Sequence, residues 1–123
     1  MIKVLLIEDN YLLRELYERV VHKAGFHAIT SIDGEDGIKK AQKENPDIIL
    51  LDIMIPKLNG IEVLRELKKD TRTQDIPVYL LTNLGQEKII DDALAIGAEK
   101  YLLKTNTPPH KLVELLKDFA ENL

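Results

Sequence analysis

Residues 48–60 read IILLDIMIPKLNG. Four apolar residues, Ile48 to Leu51, run straight into a carboxylate, Asp52, and the stretch closes on Asn59-Gly60. A short, nearly unbroken apolar run is how a strand buried on both faces reads. The run DIILL at 47–51 has company: KVLLI at 3–7 and PVYLL at 77–81 are almost as continuous, and KYLLK at 100–104 is a fourth short run. A weaker one, HAIT at 27–30, alternates and fits an edge strand.

Helical periodicity fills the intervals. Leu13, Leu16, Tyr17, Val20, Val21 and Ala24 form one apolar stripe, with Gly25 as a stop. Residues 34–44 predict a shorter helix ended by Pro46, in which Gly37 is a poor helix former. Ile61, Leu64 and Leu67 mark a third helix with Asn59 as its cap. Ile89, Ile90, Ala93 and Leu94 mark a fourth, closed by Gly97. Leu112, Leu115, Leu116 and Phe119 mark a fifth, for which Thr107 reads as the cap and Pro108 as the first helical residue. Strand–helix alternation of this kind predicts an α/β fold: a doubly wound, five-stranded parallel sheet with five helices on its two faces.

The 123 residues suit a single domain spanning 1–123. Hydrophobic residues are 45% and charged residues 31%, the balance of an ordinary globular chain. A net charge of −4, with no basic stripe interleaved with aromatics, argues against direct nucleic-acid binding. The most basic stretch, RELKKDTR at 65–72, alternates with acids at helical spacing and reads as a solvated face. No cysteine is present, so disulfides, thiolate catalysis and cysteine metal sites are excluded. No apolar run approaches the ~20 residues of a membrane span, and the N-terminus lacks the features of a signal peptide. No membrane association and a cytoplasmic location are therefore expected.

In parallel sheets the carboxyl ends of the strands gather on one edge, where such folds bind ligands. Glu8 and Asp9 follow the first strand, Asp52 the third, Thr82 the fourth and Lys104 the fifth. Singly, each has an ordinary reading: a turn aspartate, acids at a helix N-terminus, a β-branched strand residue, a solvated lysine. Together they describe chemistry. Crowded carboxylates repel one another unless a cation intervenes, and hard oxygen donors favour Mg²⁺. Lys104 is a point charge for an incoming anion and Thr82 adds a hydroxyl donor. Such a site stabilises a phosphoryl group on Asp52 acting as nucleophile.

The pieces LLIEDN (5–10), DIMIPKLNG (52–60), LTN (81–83) and GAEKYLLK (97–104), with their spacing, resemble the receiver domain of two-component response regulators, of the single-domain chemotaxis-regulator-like type. The resemblance covers the whole chain. It implies the flavodoxin-like strand order 2-1-3-4-5, which spacing alone does not give. It implies that Asp52 is the phosphoacceptor and that Asp9 holds Mg²⁺ directly and Glu8 through water. Met54 sits where the family uses a backbone carbonyl as a further metal ligand. Lys104 pairs with the phosphate, Thr82 supplies the hydroxyl that moves toward it, and Tyr101 is the switch aromatic. The implied donor is a histidine kinase or phosphotransfer protein. The implied output is a protein target read by about residues 86–121 (fourth helix, fifth strand, fifth helix), as a monomer or a phosphorylation-dependent dimer. Catalysis is expected to extend only to the domain's own phosphorylation and dephosphorylation.

Two positions depart from the family pattern. Thr105 follows Lys104 where the family commonly has proline, often after a cis bond; without proline a cis bond costs about 3–4 kcal/mol, so a trans bond and an altered loop are expected. Asn83 stands where a small residue is common, with either restricted access or an oriented water as the consequence. Three other readings compete. A Mg²⁺-dependent phosphatase or phosphotransferase with an aspartyl nucleophile commonly needs a second Asp where this chain has Met54. A phosphorylation-independent interaction module usually loses part of the acidic pocket, which is complete here. Flavin binding needs a hydroxyl- and glycine-rich loop that EDNYLLRE at 8–15 lacks.

Overall fold

The five apolar runs pair as five parallel strands. The computed structural model describes residues 2–53, 59–83 and 87–123. In chain order these form β1 (Lys3–Ile7), α1 (Tyr11–Lys23), β2 (His27–Ser31), α2 (Gly34–Glu44), β3 (Ile48–Asp52), α3 (Gly60–Lys69), β4 (Val78–Thr82), α4 (Glu87–Ile96), β5 (Lys100–Leu103), a 3₁₀ turn (Lys104–Asn106) and α5 (Pro109–Glu121). The sheet order is β2-β1-β3-β4-β5, so β1, β3 and β4 are central and HAIT lies at an edge.

The period-2 pleat explains why the central runs are apolar throughout. Val4, Leu6, Ile48, Leu50, Tyr79 and Leu81 pack with Tyr17, Val20 and Val21 of α1 and Leu112 and Leu116 of α5. Leu5, Ile7, Ile49, Leu51, Val78 and Leu80 pack on the other face with Ala41, Val63, Leu64, Leu67 and Ala93 from α2, α3 and α4. Fully burying one such aliphatic side chain contributes about 1.5–3 kcal/mol, so the sheet interior dominates the driving force.

β3 and β4 each lie one residue later than the apolar runs suggest, which brings Asp52 and Thr82 into the ladder. Asp52 is in register with Leu81, and Thr82 with Leu103. The carboxylate and the hydroxyl therefore sit on strand ends fixed by pairing, not on loops.

Local chemistry sets the helix ends. Asn59 caps α3: its Oδ1 accepts from Glu62 N at 3.0 Å, and its Nδ2 donates to Glu62 Oε1 at 2.9 Å. Asn59→Ala is expected to cost about 1 kcal/mol in urea denaturation, the usual loss of an N-cap. Gly37 is explained across the sheet, since a Cβ there would lie 2.5 Å from Ile7 Cδ1, and its absence lets α2 approach β1.

Three sequence expectations need correction. α5 starts at Pro109, not Pro108, and Pro108 is an N-cap without a side-chain hydrogen bond. The ring of Pro109 disfavours helical ψ at residue 108, which is extended at ψ 163°. Thr107 is not the cap; its hydroxyl donates back to Leu103 O at 2.8 Å. Leu16 and Leu94, placed on apolar stripes, are 42% and 38% exposed. The inward face of α1 runs through Tyr17, Val20 and Val21, leaving Leu16 at its rim; that of α4 is centred on Ala93, leaving Leu94 outside. The Lys104–Thr105 bond is trans, as expected from Thr105.

Candidate functional site

The parallel sheet brings its carboxyl-end residues into one cleft of about 330 Å³, lined by Glu8, Asp9, Asn10, Leu13, Asp52, Asn83 and Lys104. Glu8 and Asp9 leave β1, Asp52 ends β3, Thr82 ends β4, and Lys104 opens the turn after β5. Glu8, Asp52 and Thr82 are buried, whereas Asp9 is exposed at the mouth.

Lys104 Nζ donates to Asp52 Oδ2 at 3.0 Å and lies 3.0 Å from Glu8 Oε1. Glu8 Oε2 accepts from the Asn10 backbone N at 3.1 Å. Its Oε1 is buried and faces the lysine's charge. Burial pushes the Glu8 carboxyl up to about 7, with the hydrogen bond and charge of Asp52 adding to the rise and Lys104 and the Asn10 N–H opposing it. Burial works against the Lys104 ammonium, but Asp52 and Glu8 outweigh it and raise the lysine.

The sign of the resulting pH dependence is definite. A carboxyl raised from 4.5 to about 7 by folding contributes stability that is present below about pH 4.5 and lost as pH climbs through about 7. In chelator, the thermal midpoint is expected to fall between about pH 5.5 and pH 8, and Glu8→Gln to flatten that slope. An unchanged slope in Glu8→Gln would assign the titration elsewhere.

Glu8, Asp9 and Asp52 each offer an oxygen within 4.8 Å of the others. Three clustered carboxylates, those of Glu8 and Asp52 buried, with no imidazole or thiolate beside them, suit a hard divalent cation. The residues present therefore fit Mg²⁺. Met54, the further ligand implied by the resemblance, lies outside the described residues, as do residues 55–58 and 84–86.

Thr82 Oγ1 donates to Asn83 O at 3.0 Å, and Tyr101 on β5 is 47% exposed. Asn83 lines the cleft beside Asp52. Sequence reading missed two neighbours. Tyr17, assigned to the core, is close enough for the site's charges to act on it: burial and then the Glu8 and Asp52 carboxylates push its phenol up, against Lys104. Arg14 donates from Nη1 to the backbone carbonyls of Glu8 and Asp9 at 3.0 and 3.3 Å. Periodicity flags neither, because both depend on how the turn after β1 lies over the sheet.

The sequence pattern of one family, described as the response regulator receiver domain, matches residues 4–117. The alkaline phosphatase synthesis transcriptional regulatory protein PhoP of Bacillus subtilis is 36% identical over 108 residues, 86% of this chain and 43% of its own. The phosphate regulon transcriptional regulatory protein PhoB of Escherichia coli is 34% identical over 106 residues, 86% of this chain and 46% of its own. The chain thus spans less than half the length of these relatives. Among solved structures, chemotaxis protein CheY4 of Vibrio cholerae superposes with a TM-score of 0.88 at 27% identity, covering 96% of this chain and 98% of that one. The receiver domain of sensor histidine kinase PA1611 of Pseudomonas aeruginosa, which has a magnesium ion in its active site cleft, gives 0.85 at 25% identity, covering 94% of each chain. Among the described residues, no helix is long and apolar enough to cross a membrane.

Proposed function

The chain belongs to the response regulator receiver domain family, and from that premise we propose that it is a phosphoacceptor signalling domain. In this reading Asp52 takes a phosphoryl group from a histidine kinase or phosphotransfer protein in a Mg²⁺-dependent reaction, in the cytoplasm. The observation that carries the reading is the convergence of three strand ends on one ammonium: Lys104 Nζ lies 3.0 Å from both Asp52 and Glu8, with Asp9 alongside.

A carboxylate oxygen of Asp52 attacks phosphorus in line. The new O–P bond forms as the P–N bond of the donor phosphohistidine breaks, and the electron pair leaves with the imidazole, which is protonated from water. Lys104 is already in the cleft and exchanges its Asp52 contact for a phosphoryl oxygen, so little reorganisation is needed. Glu8, Asp9 and Asp52 would hold Mg²⁺, which would supply neutralising charge to the phosphoryl oxygens. The domain turns over nothing but its own acyl phosphate.

The phosphorylated side chain carries roughly two negative charges beside Thr82 and Lys104. Thr82 then gives up its bond to the Asn83 carbonyl for the phosphoryl group, and the Tyr101 ring turns inward behind it. The surface of α4, β5 and α5 carries the change to a protein target or a second copy. Adding beryllium fluoride with Mg²⁺ and following amide and Tyr101 ring NMR signals tests the switch. Shifts across 87–121 and at Tyr101 are expected, and shifts confined to the cleft would contradict it.

A further inference from the structure

We propose that Arg14 is a positioning residue for the acidic pair. It grips the turn after β1 so that the Glu8 and Asp9 carboxylates face the cation's place. The inference rests on the phosphoacceptor reading only in taking that pair as ligands of a divalent cation.

The two acids are held very differently. The Glu8 carboxylate is buried, accepts from Asn10 N at 3.1 Å and pairs with Lys104, and the Glu8 backbone N donates to Ser31 O at 3.0 Å. The Asp9 carboxylate is exposed and, among the described residues, no hydrogen bond or ion pair holds it. Among the described residues, its place is therefore set by its backbone and its own rotamer.

That backbone is what Arg14 holds. A carbonyl's direction fixes ψ of its own residue, so donors to the Glu8 and Asp9 carbonyls fix two successive peptide planes. Arg14 Nη1 reaches both, at 3.0 and 3.3 Å. Its own chain is anchored one turn away, because Asn10 caps α1 (Leu13 N donates to Asn10 Oδ1 at 3.0 Å) and Arg14 N donates to Asn10 O at 2.9 Å. The guanidinium lies 5.6 Å from the centroid of the Tyr11 ring, a cation–π contact that keeps it over the turn. The Arg14 guanidinium donates only, so it cannot compete as a ligand.

Charge and position make opposite predictions. Removing a positive charge beside three carboxylates tightens cation binding by Coulomb's law. Losing the grip lets Asp9 wander and weakens binding; outer partners of metal ligands typically change affinity by about 10–100-fold. The test is Mn²⁺ binding to the full chain, read from the EPR signal of free Mn²⁺, for wild type, Arg14→Met, Arg14→Lys and the remote control Arg72→Met. Thermal midpoints are taken in chelator to confirm folding at the titration temperature. The expected result is a Kd raised roughly 10-fold in Arg14→Met and several-fold in Arg14→Lys, which keeps the charge but not the guanidinium, with Arg72→Met within about twofold of wild type. An unchanged or tighter Kd in Arg14→Met overturns the proposal; should that variant not fold, an unchanged Kd in Arg14→Lys does so. Mn²⁺ binding is read without phosphoryl transfer. A weakened Arg14 variant of a wild type that takes no phosphoryl group would sink the phosphoacceptor reading and leave Arg14's role standing. A phosphorylated wild type with Arg14-independent Mn²⁺ binding would do the reverse.

Discussion

Lys104→Met lowers the initial rate of phosphoryl uptake from a small acyl phosphate by about 10²–10³-fold, the usual consequence of deleting one preorganised donor to developing charge. The ammonium is placed for this role, with Lys104 Nζ 3.0 Å from both Asp52 Oδ2 and Glu8 Oε1. Methionine fills much the same volume, so packing along the stem persists while the charge is lost. The same substitution has a pH-dependent effect on stability. Without the ammonium, Glu8 and Asp52 face each other buried, and Glu8, already pushed up to about 7, rises further. Metal-free Lys104→Met is therefore expected to melt well below wild type near pH 8, and closer to it near pH 6, where Glu8 takes up a proton. Intact-mass time courses and thermal scans at both pH values check the two halves. A rate within about threefold of wild type would remove Lys104 from the chemistry.

Gly60→Ala destabilises the domain by about 3 kcal/mol, at the upper end of what overpacking costs. A Cβ there would sit 2.5 Å from Ile53 Cα and 2.7 Å from Ile53 O. Those are main-chain atoms at the end of β3, and Gly60 N itself donates to Ile53 O at 3.0 Å, so neither side can yield without breaking that bond. Gly37→Ala is the matched comparison. The atoms nearest its Cβ would be those of the Ile7 side chain (Cδ1 at 2.5 Å, Cγ1 at 2.9 Å), not main chain, and alanine returns about 1 kcal/mol of helix propensity. Urea denaturation of both variants should rank Gly60→Ala as clearly the worse. Equal losses would mean that the close approach at Ile53 does not set the requirement for glycine.

Why some of this is legible in the sequence follows from where each constraint acts. A run such as IILLD announces a strand buried on both faces because its neighbours on either side need not be known. The convergence of Glu8, Asp9, Asp52, Thr82 and Lys104 follows from strand parallelism alone. Strand order does not: it came with the family resemblance, and β2-β1-β3-β4-β5 agrees with it. The bounds of β3 and β4 lie one residue later than the apolar runs because pairing with a partner strand, not local hydrophobicity, decides whether Asp52 and Thr82 stay in the ladder. At α5 the signal was present, since Pro109 restricts residue 108, but the Thr107–Pro108 pair masked it. Gly37 reads as a weak point locally and as a close-packing device only once Ile7 is seen beneath it. Arg14 and Tyr17 look like an ordinary surface residue and an ordinary core residue on α1. Their relation to the site is a product of the tertiary turn.

The central claim is that Asp52 accepts a phosphoryl group. The most direct test is the intact mass of the full chain after incubation with a small acyl phosphate, with and without Mg²⁺, alongside Asp52→Asn. The predicted result is a gain of one phosphoryl group that requires Mg²⁺ and disappears in Asp52→Asn. Folded protein that gains no mass and also forms no beryllium fluoride complex would contradict it, as would a gain that survives in Asp52→Asn.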